Sequence, residues 1–400
     1  MRVAVTTEVR FLRTPDGAVW TRIPPAYRAW TGYLSAFDTV RVVARVADVA
    51  VPDDDAVRVD GPGVQVWPVP YYLGPRQYLL RRARIRRSVT AAVTDADAVI
   101  LRVPSPIGTL LASALDRQGR PYAVEVIGDP YDLLAPGTIR HPLRPMLRNL
   151  TTANLRRQCH NAVAAAYVTE RALQSRYPAG RMAPSFGVSD VDLDDVSYVP
   201  YPRTADRFRA PDTLVSVGSL EQMYKGIDTL LEALAILVRS GLSLRLVHVG
   251  AGRFRPLLEQ LAVRLGVADR VTFTGWLSPG DAIRRQFDAA DLFVMPSRTE
   301  GLPRALVEAM ARGLPAIGSA VGGIPELLRA EHLVAPDDPV RLADAIRRLV
   351  TDPDRMAAAS TRNLARARDF SAEELTRRRA AYYRLVAGAS RQRLPASATS

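Results

Sequence analysis

Lysine is almost absent from this chain. Of its 54 lysine and arginine residues only one, Lys225, is a lysine. Alanine, arginine, valine, proline and glycine are abundant, as GC-rich coding produces, so the arginine total carries little functional meaning alone. The surviving ammonium is the more informative feature. Cysteine is equally scarce: Cys159 stands alone, which excludes an internal disulfide and fits a reducing compartment. Four histidines, His141, His160, His248 and His332, have no histidine or cysteine partner at metal-ligand spacing beyond the adjacent Cys159–His160. The aspartates of "DDD" (53–55) have Asp-x-Asp spacing, but they sit in a loop between strand segments rather than beside a nucleotide loop. No metal site is expected.

Long apolar runs are missing too. None reaches the roughly 18 residues that span a bilayer, and "MRVAVTTEVRF" is too short and polar for a signal peptide. A cytoplasmic location follows as the expectation. A Rossmann dehydrogenase is disfavoured because "VTTEVRF" lacks G-x-G-x-x-G after the first strand. The net charge of +13 admits nucleic acid, a membrane surface or anionic metabolites. With no RNA-binding signature, no zinc finger and no basic stripe interleaved with aromatics, nucleic acid is not expected.

What is present is a repeated strand–helix grammar in an apolar fraction of 48%. Strands are predicted at 2–7, 40–47, 64–69, 98–103, 122–128 and 164–170, separated by segments long enough for helices. The second half is cleaner, with strands at 214–219, 244–250, 271–275, 291–297 and 315–320 and helices at 226–240 and 254–266. Short buried strands alternating with helices predict an α/β class with parallel, doubly wound sheets, once in each half. "YVPYPRTADRFRAPD" (198–212) is Pro- and Arg-rich and reads as the linker. Boundaries are expected at 1–205 for the first domain and 206–370 for the second. Helices are expected at 353–369 and 371–389, the latter opened by Ser371 and Glu374 as a capping box. Residues 390–400 read as a disordered tail.

Chemistry concentrates in "SRTEGLPRALVEAMARGLPAIGSAVGGIPELL" (297–328). Ser297 and Glu300 have capping-box spacing, but a helix starting there would hold Pro303 in its interior, at about 3 kcal/mol. Helix entry at Pro303 avoids that. Glu300 then lies in a loop at a strand's carboxyl end, and Glu308 lies inside the helix. The amides of Gly301 and Leu302 face the crevice where such sheets bind ligands.

Glu300, seven intervening residues and Glu308 resemble the E-x7-E element of retaining nucleotide-sugar glycosyltransferases with the GT-B fold, family four. Lys225-Gly226 resembles that family's diphosphate loop, "GLPAIGSAVGGIPELL" its next strand and Gly-Gly turn, and "AAYYRLV" the helix that crosses back to the first domain. The similarity runs almost throughout 213–335. It implies two Rossmann-like domains facing a cleft, and donor-binding roles for Gly218, Lys225, Gly250, Gly252, Trp276, Leu277, Glu300, Gly301, Leu302 and Glu308. Glu300 would accept from donor-sugar hydroxyls and Glu308 from the ribose. Lys225 would neutralise the departing diphosphate, backbone near Trp276 and Leu277 would border the base, and Gly250 and Gly252 would let backbone approach the nucleotide. No cofactor is implied beyond the co-substrate, a UDP- or GDP-sugar, nor a catalytic metal.

Three positions depart from the family pattern. Ser219, Leu220 and Glu221 follow Gly218 where an arginine is common, which leaves Lys225 with more charge to meet, or Arg304 to assist. The loop "VEVIGDPYD" (124–132) offers Asp129 instead of a histidine; Asp129 would bind sugar or acceptor, or would only cap a turn. The N-terminal phosphate loop is reduced to "TPDGAVWT" (14–21), with Gly17 its equivalent. For the acceptor, the basic run 76–89 and a second at 140–158 suit contact with an anionic membrane and a lipid-linked sugar or envelope glycan, although either could be an ordinary surface helix. A soluble aglycone or polyol stays open. Two other functions remain: a GT-B phosphorylase or epimerase, and a non-catalytic nucleotide-sugar-binding protein.

Overall fold

Parallel strands are covered by helices on both faces, so they read as continuous apolar runs rather than alternating ones. In the computed structural model, which describes residues 1–22, 25–53, 55–135, 142–191 and 193–391, such runs build two separate sheets. Asp54, His141 and the expected tail beyond Arg391 lie outside the described residues.

The first compact unit comprises Met1–Gly128, Asn149–Val188 and the chain from Thr376. Its strands are β1 (Arg2–Arg13), β2 (Val19–Thr21), β3 (Thr39–Asp48), β4 (Val57–Arg58), β5 (Val64–Pro70), β6 (Ala98–Val103), β7 (Ala123–Val126), β8 (Ala165–Tyr167) and β9 (Ser185–Gly187). Seven of them form a parallel sheet in the order β5-β3-β1-β6-β7-β8-β9, with β2 and β4 added antiparallel beyond β1. Strand β1 is longer than the expected 2–7. Its register on β3 shifts between Thr6 and Arg10, and a half-buried "RFLR" continues the pairing to Arg13. Charged residues interleaved with apolar ones hide that extension from a search for apolar runs.

The final helix, Ala372–Arg391, starts where Ser371 Oγ accepts from Glu374 N at 3.3 Å. From Thr376 it belongs to the first unit, as the crossing helix of the resemblance does. Tyr382 is buried, donates its hydroxyl to Val124 O at 3.0 Å, and meets Phe186 edge-on. Tyr383 stacks on Tyr33 with ring centroids 4.4 Å apart.

The second unit holds Asp129–Arg148 and Ser189–Leu375. Strands β10 (Thr213–Val217), β11 (Arg245–Val249), β12 (Val271–Gly275), β13 (Leu292–Met295), β14 (Ala316–Ser319) and β15 (Leu333–Val334) are all parallel, in the order β12-β11-β10-β13-β14-β15. This is the 3-2-1-4-5-6 order of dinucleotide-binding sheets. Its direction of winding reverses between β10 and β13, and sheets of this order bind ligands outside the carboxyl ends of the strands at that point.

Its main segment begins at Ser189, earlier than the expected 205/206 boundary. The supposed linker is packed structure: Val199 N donates to Ala311 O at 3.0 Å, Arg203 donates to the carbonyls of Phe287 and Ala290, and Phe208 is fully buried. Bonds from single side chains to distant carbonyls leave no periodic trace, so this segment looks patternless in sequence. Among the described residues no helix is long and apolar enough to cross a membrane.

The tyrosines on the last helix anchor it. Replacing Tyr382 by alanine removes a buried ring and its hydrogen bond, and should lower stability by about 3–5 kcal/mol in urea unfolding. An unchanged midpoint would show that this helix is not docked.

Candidate functional site

The site is assembled from the loops that leave β10 and β13, the two strands flanking the reversal point. After β10 the chain passes Gly218, makes a short 3-10 turn at Met223–Lys225, and enters helix Ile227–Arg239 through Gly226. Gly226 has φ 67°, and a Cβ there would sit 2.0 Å from Pro296 O. The two loops therefore touch through backbone, and only glycine permits it.

Lys225 reaches across this contact. Its stem crosses Gly218, where an added Cβ would meet Lys225 Cδ and Cε at 3.1 Å. Its Nζ donates to Glu300 Oε1 at 2.7 Å, and both side chains are nearly enclosed, at 16% and 9% exposure. Ser297 Oγ donates to the same carboxylate oxygen at 2.6 Å. The Ser297–Glu300 spacing thus marks a side-chain tie inside a loop and starts no helix. Burial by itself would lower the Lys225 pKa; the Glu300 carboxylate outweighs it and holds the ammonium above its ordinary value. Glu300 Oε2 has no hydrogen-bond partner among the described residues.

Beneath the lysine lies His248 on β11, fully buried, its Nε2 3.1 Å from Gly218 O. A carbonyl accepts only, so this nitrogen carries the proton, and Nδ1 is left without a partner. Burial lowers the pKa to about 4, the Lys225 charge acting in the same direction against the Gly218 bond, so the ring is neutral at pH 7. Nothing in the spacing around His248 signals this position.

Gly250 and Gly252 answer to the protein itself. A Cβ on Gly250 would lie 1.9 Å from Gly218 O, and one on Gly252 would lie 2.1 Å from Leu220 C. Close packing of the 250–252 loop on the 218–221 loop requires both glycines, whatever approaches from outside. Gly250 N also donates to Gly275 O at 2.9 Å. Next to Gly275, the Trp276 ring is 64% exposed, and Leu277 is half-buried.

On the β13 side, helix Arg304–Ala311 is capped by Pro303, one residue later than expected, a shift within the usual ambiguity of helix ends. The preceding turn rests on the Gly322–Gly323 pair. A Cβ on Gly322 would sit 2.0 Å from Glu300 O, and Gly323 N donates to Gly301 O at 2.8 Å. Leu302 is buried. Glu308, one turn into the helix, is half-buried, and its carboxylate has no hydrogen bond or ion pair among the described residues. Burial raises its pKa against the opposing charges of Arg304 and Arg284. Arg304 itself is exposed.

Arg298 is the residue that sequence reasoning misses. Its guanidinium grips Asp228 with two bonds at 2.8 and 3.0 Å, donates to Asp337 Oδ1 at 2.6 Å, and also reaches Met223 O. Its own amide donates to Tyr224 O at 2.7 Å. One side chain thereby fixes the turn that carries Lys225 to the loop that carries Glu300. In an arginine-rich chain, no local pattern distinguishes it.

Two further candidates come from other elements. Asp129 caps helix Pro130–Leu133, accepting from Tyr131 N at 2.9 Å. Gly17, at φ 85°, forms the exposed hairpin turn between β1 and β2 in the first unit. No group of three or more His, Cys, Asp or Glu is placed to hold a metal ion among the described residues, and Asp53 and Asp55 are both paired with Arg22. A buried ammonium, a carboxylate with one free oxygen, a second unpaired carboxylate and two helix N-termini at one sheet end suit a ligand with anionic and hydroxyl groups.

Comparison with known proteins agrees in kind. Residues 211–352 match the family described as glycosyl transferases group 1. Protein CapJ of Staphylococcus aureus is 28% identical over 328 residues, covering 81% of each chain. A Mycobacterium tuberculosis GDP-mannose-dependent alpha-(1-6)-phosphatidylinositol monomannoside mannosyltransferase is 36% identical over 211 residues, 46% of this chain and 53% of that one. The match therefore spans about half of the mycobacterial protein. Among solved structures, sucrose-phosphate synthase from Thermosynechococcus elongatus superposes with a TM-score of 0.74 at 19% identity, over 97% of this chain and 100% of that chain. That likeness is one of fold.

Breaking a buried pair by removing one partner costs about 3–5 kcal/mol, because a lone charge stays buried. Glu300→Gln should therefore destabilise the protein in urea unfolding, and adding Lys225→Met should restore part of the loss. Additive losses in the double variant would show that the two groups do not interact.

Proposed function

Because residues 211–352 match the glycosyl transferases of group 1 and the chain has the GT-B fold, we propose that it moves a hexose-type sugar from a nucleoside-diphosphate sugar to an acceptor hydroxyl, with retention and without a metal. The observation that carries this reading is the buried Lys225–Glu300 pair at the reversal point of a dinucleotide-type sheet. The lysine supplies positive charge where a diphosphate would rest, next to the N-terminus of helix Ile227–Arg239. Glu300, with Oε2 free, meets the sugar hydroxyls. Glu308 suits the ribose: a half-buried carboxylate without partners gains most from two hydroxyl donors.

In the proposed step, the bond between the anomeric carbon and the β-phosphate oxygen breaks. The acceptor oxygen bonds to the same face of that carbon, and its proton passes to the departing phosphate oxygen. Lys225 stabilises the charge that grows on the diphosphate, the kind of prearranged electrostatic contribution that lowers barriers most. With Ser219 in place of a second cation, Lys225 and the helix terminus carry that load together. Asp129 and Gly17 keep their proposed places near the acceptor and the phosphates, as do the backbone of Gly301–Leu302 and of Trp276–Leu277 around the donor.

UDP and GDP are the donor nucleotides proposed, the latter in line with the mycobacterial relative's GDP-mannose dependence. For the acceptor, helix Gly74–Ala91 presents exposed Arg76, Arg81, Arg82, Arg84, Arg86 and Arg87 beside exposed Leu79 and Leu80. Such a face suits anionic lipid, at about 1 kcal/mol per basic residue near the surface. A lipid-linked sugar or envelope glycan on the cytoplasmic side of a membrane is the acceptor class proposed. A binding protein without catalysis is the second reading, favoured by Ser219; transfer or donor hydrolysis by purified protein excludes it.

Glu308→Ala should weaken nucleoside-diphosphate binding about tenfold or more in calorimetry, the equivalent of one or two hydrogen bonds to a charged group. Unchanged affinity would remove the ribose role. In a thermal-shift series of UDP, GDP, TDP and ADP with their sugar conjugates, one base should stand out. Transfer should persist in EDTA, and a strict Mn2+ requirement would contradict the metal-free step.

A further inference from the structure

A cavity of about 570 Å³ opens in the second unit at the amino end of β15, among Arg329, His332, Arg348, Arg355 and Arg362. Because all six strands of this sheet are parallel, that is the opposite end from the loops of Lys225 and Glu300. Arg329 and His332 come from the turn entering β15, Arg348 from the last turn of helix Pro339–Val350, and Arg355 and Arg362 from one face of helix Pro353–Ala367.

Elsewhere in this unit Arg298, Arg312, Arg347 and Arg366 each hold a carboxylate. At the cavity the pattern differs. Arg355 has Asp352 at 3.0 Å, but the guanidinium groups of Arg329 and Arg348 have neither an ion pair nor a hydrogen bond among the described residues. Half-buried Arg362 donates only to neutral acceptors, Asn363 Oδ1 and Leu327 O. Burial and then the Arg329 charge lower the Arg362 pKa, against the opposing pull of the Glu331 carboxylate. Glu331 is the lone acid in the lining. Codon bias explains many arginines; it does not explain three without a carboxylate converging on one concavity over an aliphatic floor that includes Leu349.

We propose that this cavity is a second anion site, separate from the donor loops, which takes the phosphoryl or diphosphoryl group of a small phosphorylated molecule. Planar guanidinium forks bind phosphate oxygens in pairs, and the volume falls in the usual range for small-molecule sites, roughly 300–1,000 Å³. The aliphatic floor would cover the body of the ligand. The same headgroup chemistry occurs on a lipid phosphomonoester, so the test has two arms.

Calorimetry with inorganic pyrophosphate is done on the full chain carrying Lys225→Met together with Glu300→Gln, which removes the donor-loop ammonium without leaving a lone buried carboxylate. One equivalent should bind, and adding Arg329→Gln with Arg348→Gln should weaken it about tenfold or more, as the loss of charge-assisted bonds implies. The second arm measures flotation with vesicles containing phosphatidic acid. Loss of flotation in the same arginine variants, without free pyrophosphate binding, would identify a lipid headgroup as the source of the phosphoryl group. Both exposed arginines can change without unfolding the chain, which the melting curve of each variant verifies. Equal affinity with and without Arg329 and Arg348 overturns the proposal, as does absence of binding in both arms.

Discussion

The second unit turns on one buried ion pair. Lys225 and Glu300 come from loops on either side of the point where the sheet reverses its winding, and their contact sets how far apart those loops stand. Burying an ammonium is unfavourable unless a carboxylate accompanies it, so the arrangement is self-consistent only with both partners in place. Ser297 adds a second bond to the same carboxylate oxygen, which leaves Oε2 without a partner among the described residues. Polar groups held ready in a dry site act on arriving charge without first rearranging.

The pair depends on close backbone approach, and the glycines around it serve that end. Gly226 lets the β10 loop touch Pro296, Gly218 makes room for the lysine stem, and Gly322 supports the carbonyl of Glu300. Arg298 closes the assembly from behind by joining Asp228, Asp337 and the turn at Met223. His248, buried and neutral below Gly218, completes the floor without adding charge. The proposed binding chemistry and the architecture share the same residues here. Loop packing alone requires Gly250 and Gly252, so their presence is no independent sign of a nucleotide.

The fold was largely legible because buried parallel strands announce themselves as short apolar runs, and because the E-x7-E spacing lies after one of them. The class, the two sheets and the returning helix follow from such local signals. Features set by tertiary contact left none. The extension of β1 beyond Thr7 is half-buried and interrupted by charges. The stretch 198–212 is held by single bonds such as Arg203 to Phe287 O, and it reads as a linker until its partners are known. Arg298 and His248 are invisible for the same reason: each acts through residues distant in sequence. Lys225 was conspicuous only because the rest of the chain avoids its residue type.

That scarcity also makes the central claim directly measurable. With lysine labelled at Cε with 13C, the protein gives a single lysine signal, that of Lys225, in a carbon–proton correlation spectrum. If the ammonium meets the donor diphosphate, UDP or GDP should move this signal saturably, at the affinity that calorimetry gives for the same nucleotide. A signal that stays fixed while calorimetry shows the nucleotide bound would place the diphosphate elsewhere and contradict the account.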